Sequence, residues 1–157
     1  MVEVIDRSPE TFRTLDEEAL RDHFLVQLNG QFDGGASGET FNREGKTDIL
    51  VRASGKVVFV GECKFWDGPA SVSGAIDQVL SYLSWHDTKA AVIVFHRGRN
   101  LSGVLQKVRD VLRNHAAYVG DMPFESAIGH RAVLSHPDDD EKRVTLTALA
   151  FQVPVRA

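Results

Sequence analysis

Two short apolar runs separated by a turn constrain the fold of this chain more than any other feature. The first run spans residues 45–51 (Gly-Lys-Thr-Asp-Ile-Leu-Val) and the second spans 57–64 (Val-Val-Phe-Val-Gly-Glu-Cys-Lys). The stretch 52–56 between them is short, mostly polar and contains a glycine. Apolar runs of this length, rich in β-branched residues and joined by such a turn, predict a β-hairpin.

The charged residues of this hairpin are predicted to share one face. A turn centred on Gly55 places Asp48 opposite Glu62, and the alternation of side chains along a strand puts Lys64 on the same side as Glu62. Cross-strand neighbours have Cβ atoms roughly 5 Å apart, so two carboxylates there repel each other unless a proton or cation lies between them. A solvent-exposed sheet face and half of a metal site both remain open. The nearly continuous apolar second run favours the metal site, because it is typical of a strand covered on both sides.

The composition is that of an ordinary globular domain. The 157 residues, 43% of them hydrophobic and 25% charged, suit one domain with one core. No apolar run approaches the roughly 18 residues of a membrane span, and residues 1–6 lack the basic start of a signal peptide. We therefore expect a cytoplasmic protein without a membrane partner. The single cysteine, Cys63, excludes an internal disulfide, and a buried apolar role suits it better than that of a catalytic thiol.

Charge is unevenly distributed along the chain. The net charge of −4 argues against a nucleic-acid partner, yet residues 96–115 carry five basic residues and one acidic residue. A local basic surface on an acidic protein is compatible with phosphate contacts. Arg97, Arg99 and Lys107 in this stretch are the predicted nucleic-acid contacts.

The rest of the chain predicts alternating helices and strands. After an extended lead-in over 1–13, the capping-box pair Thr14 and Glu17 predicts a helix that Asn29 and Gly30 end near residue 28. Further helices are predicted over 71–86 and 101–114, and strands over 39–42, 90–95, 131–135 and 143–153, with an acidic turn over 136–141. Strand, helix and strand in succession over 57–95 imply a parallel pair in the sheet.

Three other kinds of site are not supported. Gly45-Lys46-Thr47 resembles the end of a nucleotide-binding loop, but the earlier glycine is missing and a strand follows instead of a helix. This argues against a small-molecule phosphatase or nucleotide hydrolase. The acidic turn lacks the spacing and central glycine of a calcium loop. The six histidines show no metal-ligand spacing.

The order of these features resembles the PD-(D/E)XK nuclease superfamily. An acidic first helix is followed by Asp48 on one strand, Glu62-Cys63-Lys64 on the next, and then a helix and a strand. The resemblance covers residues 14–95, and Thr47 stands where the family usually has proline. It implies an α/β fold with a restriction-endonuclease-like core, in which a central mixed β-sheet is flanked by helices in α-β-β-β-α-β order. The chain would be one domain over 1–157, with a basic helix and C-terminal strands over 96–157.

A second motif supports the resemblance. Gln78-x-x-x-Tyr82 is similar to an additional helix motif of the recombination-exonuclease branch. Residues four apart lie one above the other on a helix, so a boundary stripe whose tyrosine caps the core is the alternative interpretation. In the family interpretation, Gln78 and Tyr82 contact the phosphate backbone or support Lys64. Lys46, predicted opposite Lys64, would touch the scissile strand.

The resemblance also implies an enzyme, a Mg²⁺-dependent deoxyribonuclease in which Mn²⁺ can substitute, acting in bacterial defence or DNA repair. Asp48, Glu62 and the backbone carbonyl of Cys63 would bind the metal, and Lys64 would orient or help deprotonate the attacking water. Glu18, or Glu17 beside it, matches the acid that many members place on the first helix.

The implied partner is DNA, and several points stay open at this stage. The resemblance does not distinguish DNA from RNA or endonuclease from exonuclease activity. A homodimer and a separate targeting or sensor partner both remain possible. The alternative function is a non-catalytic nucleic-acid-binding or assembly module that retains the nuclease fold.

Overall fold

Apolar residues that are nearly continuous along the middle strands and alternate along the later ones build one mixed β-sheet. The computed structural model describes residues 7–31, 36–42, 45–54 and 56–155, and it describes only the backbone of 27–31, 36–42, 45–47 and 53. Among these residues the helices are α1 (Pro9–Arg13), α2 (Glu17–Gln31), α3 (Pro69–Ser81) and α4 (Leu101–Asn114). The strands are β1 (Ala36–Asn42), β2 (Gly45–Ala53), β3 (Lys56–Phe65), β4 (Lys89–His96), β5 (Tyr118–Met122), β6 (Gly129–His136) and β7 (Asp139–Gln152).

The described strands lie in the order β1-β2-β3-β4-β7-β6-β5. The β3–β4 and β4–β7 pairs are parallel, and the remaining pairs are antiparallel. The predicted parallel pair on either side of α3 is therefore confirmed, as is an α/β fold with a central mixed sheet flanked by helices. The order α2-β1-β2-β3-α3-β4 matches the predicted succession of elements.

Strands β2 and β3 pair in the predicted register, although their turn does not lie where it was predicted. Ile49 pairs with Gly61 and Leu50 with Val60, a register that, continued by one residue, sets Asp48 opposite Glu62. The turn is not centred on Gly55, because Ala53 pairs with Lys56. An irregularity between Val51 and Arg52 shifts the pairing by one residue and restores the predicted alignment. Ser54 takes a left-handed conformation in the tight turn, with φ of 52°.

The two faces of the sheet carry separate apolar clusters. One face packs against α3 and α4, and its buried residues include Leu50, Val60 and Tyr82. The other face packs against α1 and α2, and its buried residues include Ile49 and Cys63. The alternation of neighbours such as Ile49 and Leu50 between the clusters is the period of two expected of strands. Asp48 therefore lies on the side of α3, with Leu50 and Val60.

Several predicted boundaries are wrong near the N-terminus. The lead-in contains the short helix α1, whose aromatic residue Phe12 is buried. Thr14 is not the N-cap of the acidic helix, since Asp16 has that role and accepts a hydrogen bond from the Ala19 N–H at 2.9 Å. The same helix continues through Asn29 and Gly30 to Gln31.

Later boundaries also differ from the prediction. Helix α3 begins at Pro69, where proline suits the first turn, and it ends at Ser81 instead of near His86. Strand β5 was not predicted, and the expected acidic turn is a short connection in which His136 pairs with Asp139. Among the described helices, none combines the length and the apolar character needed to cross a membrane.

Candidate active site

The strands β2 and β3 stop pairing with each other just where the acidic residues begin. The described pairing ends at Ile49 and Gly61. Beyond this point the Cys63 N–H donates to Asp48 Oδ2 at 2.9 Å, and the Phe65 N–H donates to Glu17 Oε2 at 2.9 Å. Buried backbone donors require acceptors, and two carboxylates supply them here in place of strand β2. We call the region formed by Asp48, Glu62, Glu17 and Arg21 the acidic notch.

Glu62 is the most constrained residue of the acidic notch. Its side chain is buried, with the residue 4% exposed, and its Oε2 atom has no hydrogen-bond partner among the described residues. Burial, followed by the negative charge of Asp48, raises the pKa of Glu62 to about 8, against the lowering effect of Lys64. The carboxyl group therefore carries a proton at neutral pH in the absence of a cation. The charge of Asp48 contributes to the raised pKa of Glu62, so the two carboxyl groups are close enough to interact electrostatically.

Arg21 is part of the notch and was missed by the sequence reasoning. It is 6% exposed, and its Nη2 lies 2.9 Å from Asp22 Oδ1 and 3.6 Å from Glu18 Oε1. Its Nη1 lies 3.9 Å from Asp48 Oδ1. The guanidinium therefore brings positive charge to the carboxylates. The one available signal was its place four residues after Glu17, which puts both on one side of α2.

Of the two candidate acids on α2, Glu17, the alternative to Glu18, is the one that reaches strand β3. Glu17 contacts the backbone of β3 directly, as described above. The Glu18 side chain is 68% exposed and faces Arg21. Both glutamates, with Asp16, Arg21 and Asp48, line a pocket of about 310 Å³ at the surface of the notch. Glu18 is thus at the rim of this pocket and not against the strand.

Gln78 and Tyr82 lie together, as their spacing predicts. Gln78 Nε2 donates to the Tyr82 hydroxyl at 2.6 Å. Tyr82 is buried in the cluster that contains Leu50 and Val60, so its ring does cap the core. Burial raises the pKa of Tyr82, and the carboxylates of Glu62 and Asp48 contribute to this rise. The tyrosine is therefore close enough to the notch to be influenced by its charge, and the two interpretations of the motif are compatible.

Cys63 and Lys64 take different positions at the notch. The Cys63 side chain is fully buried on the opposite face, where burial raises the pKa of its thiol well above the usual range, as expected of an unreactive cysteine. The N–H and C=O of one strand residue point towards the same neighbouring strand, so the Cys63 carbonyl points to the side of Asp48. Lys64 is half-buried, and its charge lowers the pKa of Glu62. The side chain of Lys46 lies outside the described residues.

The predicted nucleic-acid contacts do not gather at the notch. Arg97 is bound to backbone carbonyls, since its Nη1 donates to Arg13 O at 2.6 Å and Pro154 O at 2.7 Å and its Nη2 donates to Leu15 O. Its guanidinium also lies 5.0 Å from the centre of the Phe65 ring. These contacts tie the start of α2 to the sheet, and they support a structural role for Arg97 instead of the predicted nucleic-acid contact.

The other two predicted contacts are at the surface. Arg99 is exposed in the loop before α4. Lys107 is exposed on α4 and lines a groove with Pro69, Ser73 and Asp110. Neither position is at the described part of the notch.

The donor set of the notch suits a hard cation. Among the described residues, no group of three or more His, Cys, Asp or Glu side chains could hold a metal ion. Mg²⁺, however, usually binds through one or two carboxylates together with water and phosphate oxygens. The unpartnered Oε2 of Glu62, next to Asp48, is a feature that such a cation would explain. Comparisons with family models, curated proteins and solved structures found no match for this chain.

Proposed function

We propose that this chain is a Mg²⁺-dependent nuclease that hydrolyses DNA phosphodiester bonds, in bacterial defence or DNA repair. In this proposal the mixed sheet and its helices are a restriction-endonuclease-like core. The observation that carries the proposal is the buried carboxyl group of Glu62 beside Asp48, whose Oε2 atom has no hydrogen-bond partner among the described residues. Such an arrangement destabilises a fold, so its presence favours a function that uses both carboxylates.

The residues at the notch would hold the cation as follows. Asp48, Glu62 and the Cys63 carbonyl supply oxygen atoms, the ligand type that Mg²⁺ and Mn²⁺ prefer. A bound Mg²⁺ would lower the pKa of a coordinated water and offset the negative charge of the phosphate. Glu62 would lose its proton on becoming a ligand, because ligand carboxylates are ionised.

Three side chains around this pair would position the reacting groups. Lys64, on the same face of β3 as Glu62, would orient the attacking water or help remove its proton. Its positive charge would also offset the charge that develops on the phosphate oxygens. The Gln78–Tyr82 hydrogen bond fixes the tyrosine hydroxyl near the carboxylates and would support Lys64 or contact the phosphate backbone. Glu17 keeps β3 in place at the open end of the notch.

A non-catalytic module with the same fold is the second candidate. It is favoured by Arg21, whose guanidinium already brings positive charge to Asp48. A module of this kind needs no divalent cation. Calorimetric titration with Mg²⁺ and Mn²⁺ separates the candidates, because the nuclease requires binding that is lost in Asp48→Asn and Glu62→Gln. Absence of such binding in the unaltered protein would support the module.

A cleavage assay tests the nuclease directly. The protein is incubated with Mg²⁺ or Mn²⁺ and with circular duplex, linear duplex, single-stranded DNA or RNA, which also identifies the substrate. We expect Asp48→Asn, Glu62→Gln and Lys64→Gln each to lose more than roughly a hundredfold in rate, the scale of removing one electrostatic contact to a transition state. Asp110→Asn is the matched control, because Asp110 is exposed on α4 and bonds only to neighbouring side chains of that helix in the described structure.

Folding must be checked in each variant before its rate is interpreted. The far-ultraviolet circular dichroism spectrum and the melting temperature serve this purpose. Full activity in Asp48→Asn, Glu62→Gln and Lys64→Gln would refute the assignment. Loss of activity in the Asp110→Asn control would show that the assay reports general damage instead of notch chemistry.

A further inference from the structure

Among the described residues, no helix packs on one face of part of the sheet. Along β7 the residues Val144, Leu146 and Ala148 are buried against the α3–α4 cluster, whereas Thr145, Thr147 and Leu149 between them are only half-buried. On neighbouring strands, Phe59, Ala91 and Arg131 lie beside these three residues. Together the six half-buried residues form what we call the open face, and they line most of a groove of about 370 Å³.

The strand segments on this side of the sheet carry basic residues and no acidic ones. Arg143 precedes Thr145 by two residues on β7, so it lies on the same side, and Lys89 pairs with Thr145 from β4. With Arg131 they make three positive charges. The strand segments 57–61, 89–93, 129–135 and 143–149 contain no Asp or Glu. The open face is therefore basic although the whole chain has a net charge of −4.

Aromatic rings accompany these cations. Phe59 and Phe124 both line the groove. The Arg131 guanidinium lies 4.3 Å from the centre of the Phe124 ring, and its Nε donates to Thr147 Oγ1 at 2.9 Å. These contacts hold a flat cation in a fixed orientation, in which its outer surface can accept a stacked ring.

The basic character continues around the edge of the sheet. A second hollow of about 150 Å³ shares Phe124 and Arg131 with the groove and is also lined by Arg109 and Arg113 of α4. Arg113 is paired with Asp121 at 2.5 Å, whereas Arg109 donates to His130 Nδ1 at 3.3 Å. The path from the open face to α4 thus remains lined with guanidinium groups.

We propose that the open face binds a single-stranded nucleic acid. Positive groups that follow a groove, interleaved with aromatic rings, are the two elements of single-strand binding, because they contact phosphates and unstacked bases respectively. A duplex offers its phosphates but keeps its bases stacked on one another, so Phe59 and Phe124 would have no partner in it. The proposal goes beyond the nuclease proposal and does not depend on catalysis at the notch.

Fluorescence anisotropy with a labelled oligothymidylate of about 12 nucleotides, a length within the usual range of single-strand sites, tests the proposal. The assay contains EDTA, so that cleavage does not interfere. The triple variant Lys89→Gln, Arg131→Gln and Arg143→Gln should bind at least roughly tenfold more weakly, and the slope of log affinity against log salt should fall by about 2, since each phosphate contact contributes about 0.7. Lys142→Gln is the matched control, because the Lys142 ammonium lies over the Trp85 ring at 3.5 Å, away from the groove.

A second variant tests the aromatic part independently. Phe59→Leu keeps the apolar bulk but removes the ring, and we expect about tenfold weaker binding, the scale of one lost stacking contact. Unchanged binding in both the triple variant and Phe59→Leu would refute the proposal. Tighter binding of a duplex of the same length, or no binding to the unaltered protein, would also refute it.

Sedimentation analysis addresses a competing occupant. If the chain forms a dimer that the triple variant dissociates, a second copy of the chain covers the open face and the proposal is wrong. If the unaltered protein and the triple variant sediment alike, the face is available to the oligonucleotide as proposed. The nuclease proposal fails separately, if the Asp48 and Glu62 variants still cleave nucleic acid. None of these binding measurements depends on that result.

Discussion

The acidic notch and the open face carry opposite charge on the same sheet, and they differ most in how that charge is compensated. In the notch, Glu62 is buried, its Oε2 atom has no partner in the described part of the chain, and its pKa is raised. On the open face, Arg131 is half-buried and is held by a ring and a hydroxyl group. The notch thus carries an energetic cost in the folded protein, whereas the open face carries none of comparable size.

This difference separates two ways in which a fold can present charge. Charges at the surface of a sheet are hydrated, and they change affinity for a ligand without much effect on stability. Carboxyl groups that are buried where two strands separate are surrounded by backbone atoms, so their protonation is coupled to folding. We therefore expect substitutions in the notch to alter stability and its pH dependence, and substitutions on the open face to alter binding alone.

The largest expected effect is on stability at Glu62. Its pKa is about 8 in the folded protein and near the ordinary value of 4.5 when the chain is unfolded. Between these values the unfolded chain has released the proton while the folded protein retains it, so folding stability falls as pH rises. The loss should be on the order of 4 kcal/mol between pH 5 and 9 in the absence of divalent cations. Glu62→Gln should remove this loss and melt at a higher temperature than the unaltered protein at pH 9.

Thermal unfolding in EDTA at several pH values measures this effect. Glu141→Gln is the control, because Glu141 is exposed and its substitution should leave the pH profile unchanged. A Glu62→Gln variant that is less stable than the unaltered protein at pH 9 would contradict the expectation. It would show that the notch does not destabilise the fold, and the contrast with the open face would be lost.

The second effect concerns the support of the notch by Arg97. Its guanidinium binds the carbonyls of Arg13 and Leu15, next to the start of α2, and the carbonyl of Pro154. Arg97→Ala removes these charge-assisted bonds and leaves the acceptors without their partner, so we expect a loss of about 3 kcal/mol in the free energy of unfolding. Arg99→Ala, two residues away and exposed, should change it by less than about 0.5 kcal/mol.

Chemical denaturation of the two alanine variants provides the comparison. If Arg97 instead contacts nucleic acid, as the sequence suggested, its variant would unfold like Arg99→Ala and would bind the oligonucleotide more weakly. That result would show that Arg97 belongs to a binding surface and does not support the notch.

The sequence predicted the hairpin and the alignment of its two strands because both depend on local periodicity. Alternation along two strands and a short turn are enough to set Asp48 opposite Glu62, and the irregularity after Val51 compensated for the misplaced turn centre. The parallel β3–β4 pair also follows from the succession of strand, helix and strand. These features could be predicted because each is fixed by residues close together in the chain.

The features that the sequence missed depend on contacts between distant segments. Glu17 reaches the backbone of Phe65, 48 residues away, and nothing in the helix pattern distinguishes it from Glu18. Arg21 joins the notch only because α2 packs beside β2 and β3. The open face is invisible for the same reason, since its cations Lys89, Arg131 and Arg143 stand on different strands. The periodicity of each strand sequence predicts which face of the sheet a side chain occupies, but it does not show which faces of the sheet are covered by a helix.

Arg21 offers a test of charge compensation within the notch. Its guanidinium lies 3.9 Å from Asp48 and competes electrostatically with any cation there. Arg21→Gln should therefore bind Mn²⁺ about tenfold more tightly. The free energy of this change is a small part of the several kcal/mol expected for the interaction of two unit charges at this distance in a partly buried site. Arg21→Lys keeps the positive charge and should resemble the unaltered protein. Calorimetry measures both, and weaker binding by Arg21→Gln would show that the arginine positions Asp48 instead of competing at it.

The smallest expected effect lies on the open face, at Thr147. Its hydroxyl accepts the hydrogen bond that orients Arg131 towards Phe124. Thr147→Val keeps the shape and the β-branched side chain, so the free energy of unfolding should change by less than about 1 kcal/mol. Binding of the oligonucleotide should weaken by about threefold, because the guanidinium is no longer held in one orientation. Thr145→Val, on the same face two residues away, is the control. A loss of stability at Thr147 comparable to the pH effect at Glu62 would mean that the open face is as strongly coupled to folding as the notch, and the distinction between the two surfaces would fail.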